Sequence, residues 1–406
     1  MNSTNSSFLK RLSFNIPATQ IFSYLLFFFW LGFAFIEHSD FTGKEFKHTP
    51  GYDAHRYVKM SHNTFAAVES PFALRILTPL IVNIIENNSK GILGWDFIWY
   101  SVTLLSLLGC AIFFQKFLNK VLKLSIYTSN IFVLFLISNY VYSLFLITNP
   151  FLVDPLNNLF WMMAIYYLFR DQYFVFTAIL LIGCINKEVI LFLAPLYPLF
   201  MLIKYGGIRN RHFWKSVICL VGIGAFYVGY RKVIENFIRP DGYEMFTTAG
   251  MSKIETVVDA LTSKSQKFWI IFDTFKFLWL FFFLFLWELC REFGWKNRYL
   301  ACSLYLFVIL FLGRMFAVDA NRVYVMLAPM VMGMSALFCT SNRLNFNRWL
   351  TILLFAHMAL NVSENPLSME WQILFNCALA GAILFQKREN ALSELNEATL
   401  LELKRL

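Results

Sequence analysis

Residues 92–115 read ILGWDFIWYSVTLLSLLGCAIFFQ. A helix needs about 20 mostly apolar residues to cross the hydrocarbon core of a bilayer. This stretch supplies them, with a single charge, Asp96, near its start. The pattern recurs along the chain. Candidate spans fall at 18–36, 92–115, 125–147, 152–169, 173–186, 188–203, 213–232, 267–290, 299–315, 321–339, 349–363 and 369–386. The count is about twelve, with 173–186 and 349–363 short for a full crossing.

Composition agrees. The chain has 406 residues, 47 of them Phe, and 15% are charged, against about 25% in an ordinary soluble protein. Mean hydropathy is +0.57. A soluble core of this length cannot hide so many apolar residues, so lipid is the remaining solvent. The reading is an all-α polytopic integral membrane protein, with a transmembrane domain over 1–390 and a charged cytoplasmic tail over 387–406.

The net charge of +10 could signal nucleic acid, but no basic stretch is interleaved with stacking aromatics. The basic residues instead sort by loop, as membrane orientation requires. Lys10 and Arg11 precede the first span. Lys116, Lys120 and Lys123, then Arg170, then Lys204, Arg209, Arg211 and Lys215 follow every second span. Arg291, Lys296 and Arg298, then Arg343 and Arg348, then Lys387 and Arg388 continue the alternation. Both termini are thereby placed in the cytoplasm. The seven cysteines lie in or beside apolar runs without a CxxC pair, and read as small buried hydrophobes. The first apolar run has no small-residue cleavage site and reads as a retained anchor.

On the opposite face two segments are long, 37–91 and 233–266. The first holds GYDAHRYVKM, residues 51–60, and then SPFALRILTPLIVNIIENN, residues 70–88. The latter is apolar but broken by Pro71 and Pro79, which suits an amphipathic helix lying on the outer leaflet or a re-entrant piece. Three further polar clusters reach the same face: NPFLVDPLNN with Asp154, INKEV with Lys187 and Glu188, and GRMFAVDANRVY with Asp319 and Arg322. Charges at a lipid boundary are costly unless paired or lining a wet cavity, and a shared outer cavity gives all four loops one cause. In such a cavity Asp53 suits a general base acting on a hydroxyl. Arg75, Lys187 and Arg322 suit a phosphate clamp, with arginine the better bidentate partner. Tyr52, Tyr57, Phe72 and Tyr324 suit stacking on a sugar or anchoring at headgroup level.

This layout resembles the GT-C class of polytopic glycosyltransferases. Asp53 in GYDAHRY matches the acidic catalytic residue that the class carries in its first outer loop. SPFALRILTPL resembles the Pro-Phe…Arg-Leu-Pro stretch of many bacterial members, and NKEV resembles a Lys-Glu pair of mannosyltransferase-like branches. The resemblance covers the layout of residues 18–340. It implies a polyprenyl-phosphate or polyprenyl-diphosphate sugar donor and a glycan, lipid or protein acceptor. Candidate substrate residues are Tyr52, His55, Arg56, Arg75, Asp154, Lys187, Glu188, Asp319 and Arg322. Two features depart from the class. Asp53 is followed by Ala54 where many members pair two acids, so a second acid has to come from Asp154 or Glu188. A divalent cation would need convergent oxygen ligands from distant residues.

Plainer roles exist for the same residues. Asp53 is a preferred helix N-cap type, and Asp154 before Pro155 can open a helix. Lys187 and Glu188 can anchor a span at headgroup level, Asp319 and Arg322 are spaced for a helix-surface ion pair, and His55 can simply be an exposed polar residue. His38, His48, His55 and His62 have no ligand spacing. Two other functions compete with transfer: a transporter or flippase of a lipid-linked or amphipathic substrate, and a non-catalytic polytopic subunit. The absence of half-to-half similarity and the crowding of charge on one face favour the enzyme over the transporter. The composition points to a bacterial inner membrane.

Overall fold

The computed structural model describes residues 24–25, 47–50, 52–63, 68, 72–238, 274–313 and 320–341. Among them there is no strand. In chain order the helices are α1 (Asp53–His62), α2 (Leu77–Ser89), α3 (Trp95–Lys116), α4 (Ile126–Ile137), α5 (Phe145–Thr148), α6 (Asp154–Phe169) and α7 (Tyr173–Asn186). They continue with α8 (Leu196–Tyr205), α9 (Arg211–Ile238), α10 (Leu278–Phe293), α11 (Arg298–Gly313), α12 (Ala320–Tyr324) and α13 (Ala328–Ser341). Four stretches are long and apolar enough to cross a membrane: Trp95–Val121, Glu188–Tyr205, Arg211–Asn236 and Arg322–Thr340.

The expected count of about twelve is thus reached only in part. The stretches 18–36, 349–363 and 369–386 lie outside or almost wholly outside the described residues, as do most of 233–266 and all of the 387–406 tail. Others are helical but short. At 1.5 Å per residue, a helix of 14 to 16 residues covers only ~21–24 Å of a ~30 Å core, and α6, α7, α10 and α11 have these lengths. The 125–147 stretch is bent by 66°. Asn139 breaks it: its Oδ1 accepts from the Tyr142 amide at 3.0 Å, opening a π-helical turn, and its Nδ2 donates to the Thr274 carbonyl at 2.7 Å. The outer-loop stretch 70–88 forms a 3-10 turn at Phe72–Leu74 and then α2.

Packing fixes how the segments run. Near the start of α3, Trp99 meets Phe151 at 6.1 Å between centroids; near its end, Phe113 meets Tyr166 at 5.8 Å. Helices α3 and α6 are therefore parallel. They approach closely because Gly109 has no side chain: a Cβ there would meet Leu159 Cδ1 at 2.8 Å. Helices α10 and α13 are also parallel, with Ser335 Oγ donating to the Leu278 carbonyl at 3.0 Å and Phe281 stacked on Phe338 at 5.4 Å. By contrast α6, α7 and the 188–205 segment thread up and down. Lys187 pairs with Asp154 at one end, at 2.7 Å, and Lys204 with Asp171 at the other, at 2.9 Å. The described cysteines are free thiols.

Asp171 closes that second end. It sits in the left-handed region, φ 56°, and accepts from the Tyr173 hydroxyl, from Lys204 Nζ, and from Arg298 Nη1 at 2.8 Å. Burial alone would raise its carboxyl; the Tyr173 hydroxyl, the Lys204 ammonium and the buried Arg298 guanidinium overcome that and hold it below the usual carboxylate range. A depressed folded-state pKa adds stability above the unfolded value, ~4, and that stability is lost as pH falls through the folded value. Asp171→Asn keeps a residue that tolerates the left-handed backbone. It should melt lower than the parent at pH 7 by roughly 2–4 °C, and differential scanning at pH 3 should show the gap closing.

Candidate functional site

Helix α1 presents its apolar positions Ala54, Tyr57, Met60 and Ser61 inward, the i, i+3, i+4, i+7 pattern of one buried face. Asn83 Nδ2 donates to the Ser61 carbonyl at 2.8 Å and Trp99 Nε1 to Ser61 Oγ at 3.4 Å, which ties α1 to α2 and α3. That anchoring leaves Asp53 and Arg56, one turn apart, on a flank toward the rest of the molecule. Asp53 does not cap the helix. The N-cap position belongs to Tyr52, with no side-chain cap bond. The Asp53 carboxylate instead accepts from Arg322 Nη2 at 3.0 Å and faces Arg56 Nη1 at 3.7 Å.

Asp154 is likewise the first residue of its helix and spends its oxygens elsewhere. Oδ1 accepts from Lys187 Nζ at 2.7 Å and Oδ2 faces Arg322 Nη1 at 3.4 Å. Arg322, on the five-residue α12, thus bridges two carboxylates. Lys187 and Glu188 take different partners because the chain is extended at Lys187, φ −160° and ψ 126°, between α7 and the 3-10 turn beginning at Glu188. Glu188 receives both forks of Arg75, Nε at 3.0 Å and Nη2 at 2.5 Å, a bidentate geometry. Arg75 Nη1 also donates to the Tyr57 hydroxyl at 3.0 Å. Burial pushes the Tyr57 phenol well above its ordinary value, so it stays protonated at any physiological pH. The corner itself is pinned below: Thr78 Oγ1 donates to Asn186 Oδ1 at 2.5 Å, and Asn186 Nδ2 donates to the Val153 carbonyl at 2.9 Å.

The three acids differ in access. Asp154 has 5% of its side chain exposed, Asp53 26% and Glu188 33%. Asp154 is therefore a buried keystone, while Asp53 and Glu188 can meet a ligand. Phe72 lies under two of the cations, its ring centroid 4.3 Å from the Arg56 guanidinium and 5.4 Å from that of Arg75, and meets Tyr57 edge-on at 5.9 Å. Three acids (Asp53, Asp154, Glu188) face four bases (Arg56, Arg75, Lys187, Arg322), so the network carries one net positive charge. It suits an anion. A divalent cation does not fit, because each of these carboxylates already faces a guanidinium or an ammonium, and among the described residues no three His, Cys, Asp or Glu are placed to hold a metal.

Of the residues singled out in the sequence, Asp53, Arg56, Arg75, Asp154, Lys187, Glu188 and Arg322 meet in this network. Two do not. His55 is turned to the 47–50 turn, with Nδ1 3.0 Å from the Lys47 carbonyl, and Tyr52 is half exposed in the N-cap position. Asp319 lies outside the described residues, so its spacing to Arg322 is not at issue; the described acids facing Arg322 are Asp53 and Asp154. The sequence placed Tyr57 among stacking rings and missed its place as the hydrogen-bond partner of Arg75. It also missed the Lys47–Asp96 pair at 2.6 Å, which ties the first-loop segment to the start of α3. No family model, curated protein or solved structure matches the chain.

Proposed function

We propose that this network is the catalytic site of a polytopic membrane glycosyltransferase of the GT-C type. It moves a sugar from a polyprenyl-phosphate or -diphosphate donor to a hydroxyl on a glycan, lipid or protein acceptor. The work takes place at the extracytoplasmic face of a bacterial inner membrane, on a chain of about twelve spans. One observation carries the reading: at one end of an apolar bundle, a solvent-reachable carboxylate, Asp53, is flanked by two arginines from distant parts of the chain. A carboxylate supplies a base, guanidinium groups complement phosphate oxygens, and apolar walls suit a lipid tail.

In the proposed step the acceptor hydroxyl gives its proton to Asp53 while its oxygen bonds to the anomeric carbon. The bond from that carbon to the phosphate oxygen breaks, and the lipid phosphate leaves with the electron pair. The cations around Asp53 balance the charge that gathers on the leaving group. Asp154, paired with Lys187 and nearly closed to solvent, keeps this end of the bundle together and takes no part in proton transfer.

Reconstituted vesicles separate transfer from transport. Purified protein is given a panel of polyprenyl-phosphate sugars with hydroxylated short-chain lipid acceptors. The expected result is a glycosylated acceptor and an equimolar amount of free polyprenyl phosphate. Movement of intact donor across the bilayer without its consumption, over the whole panel, would establish a carrier and remove the enzyme reading.

A further inference from the structure

We infer that Arg56 and Arg322 form a seat for a phosphate group, and that Asp53 occupies this seat while the protein is empty. The inference deepens the proposed function and rests on its reading of the network as a lipid-phosphate site. It does not depend on the transfer step.

The four cations of the network are not equivalent. Arg75 is committed, its fork closed on both oxygens of Glu188 and its remaining nitrogen on Tyr57. Lys187 is committed to the buried Asp154. Arg56 and Arg322 differ, because the anion between them is Asp53, a partly exposed side chain on the first turn of a short helix. A carboxylate gripped by guanidinium groups from two separate elements has the stereochemistry that a phosphate ester would take in its place. Its hold is loose on one side, 3.7 Å to Arg56, against 3.0 Å to Arg322. Arg56 is positioned from behind by the face of Phe72 rather than by a second acid of the network, so it can keep its place when Asp53 leaves. Arg322 also keeps Asp154, at 3.4 Å. A phosphate entering the seat therefore exchanges one anion for another, without stranding a buried charge.

The exchange has a chemical consequence. The acid that becomes the base is held by the phosphate seat until the donor arrives, so an empty protein keeps its base occupied. A donor with phosphate frees Asp53; a neutral lipid of the same shape does not.

The test is a double-mutant cycle on binding. Farnesyl phosphate is titrated by calorimetry into detergent-solubilised parent, Asp53→Asn, Arg322→Gln and the double variant, with farnesol as the neutral control. Asp53→Asn should bind farnesyl phosphate about tenfold more tightly than the parent, which is about 1.4 kcal/mol. Arg322→Gln should bind about tenfold more weakly. The double variant should match Arg322→Gln, the gain from removing the acid having vanished with its partner. Farnesol should not distinguish any of them. Unchanged or weaker binding by Asp53→Asn overturns the inference. So does a tenfold gain that persists in the Arg322→Gln background, because it would assign the effect to the general field. If Asp53→Asn or Arg322→Gln fails to fold, Asp53→Ser or Arg56→Gln closes an equivalent cycle. Tightening by Asp53→Asn in a protein whose parent never transfers sugar leaves this inference standing and removes the glycosyltransferase reading. Sugar transfer by the parent with no change in affinity does the reverse.

Discussion

Asp154→Ala should lower the melting temperature of the purified protein more than any other single change in the charged network. The side chain is 5% exposed and takes Lys187 at 2.7 Å. Removing it leaves the Lys187 ammonium in a nearly closed setting without its carboxylate, and removing one partner of a buried ion pair costs about 3–5 kcal/mol. Arg322 loses less, because Asp53 remains at 3.0 Å. The lower end, ~3 kcal/mol, is therefore the expected size. The same physics predicts an unusual recovery. A buried pair contributes little net stability over apolar groups of equal volume, so the double variant Asp154→Leu with Lys187→Met should regain most of what either single change loses. Thermal unfolding followed by tryptophan fluorescence in one detergent measures all four proteins. An Asp154→Ala protein that melts with the parent would mean that Asp154 is not the keystone its geometry describes.

How much of this was legible in the sequence differs between helices and contacts. Residues 173–186 were expected as a span, and the helix runs over that stretch, because apolar residues set off by polar ones declare their own ends. The bend within 125–147 was not legible. It depends on where the Asn139 amide finds the Thr274 carbonyl, a residue 135 positions away. The lengths of α6, α10 and α11 were also hidden, since hydropathy reports where a segment is apolar and not where its backbone leaves the helix.

The site shows the same divide. Charged residues in four apolar-flanked loops stand out because each is costly at a lipid boundary, and this signal named seven of the residues that meet. Pairing carries no such signal. Arg322 and Asp53 are 269 residues apart, and adjacent Lys187 and Glu188 separate only because the backbone is extended between their helices. Nothing in the order of residues says that Arg75 will take Glu188 rather than Asp53. Hence the sequence offered Arg75 and Lys187 as phosphate ligands, whereas the packing ties both to acids and leaves Arg56 and Arg322 around the reachable carboxylate.

Asp53→Asn should abolish sugar transfer while leaving the protein folded. Asparagine keeps the shape of the side chain and can still accept from Arg322, but it cannot take a proton from the acceptor hydroxyl. Loss of a positioned general base lowers the rate by about 10²–10⁴-fold. The fold should tolerate the change, since Asp53 is partly exposed, lies at a helix end, and shares Arg322 with Asp154. Reversal of the two effects between neighbours is what gives the experiment its force: Asp154 governs stability and Asp53 governs turnover, although one guanidinium touches both. Measured in vesicles with saturating donor, a rate within threefold of the parent would show that Asp53 is not the base. Glu188 would then inherit the role as the other solvent-reachable acid of the network. It would have to act with both oxygens already gripped by Arg75, so the base would need Arg75 to let go first, and Arg75→Lys, which loses the bidentate grip, would speed transfer instead of slowing it.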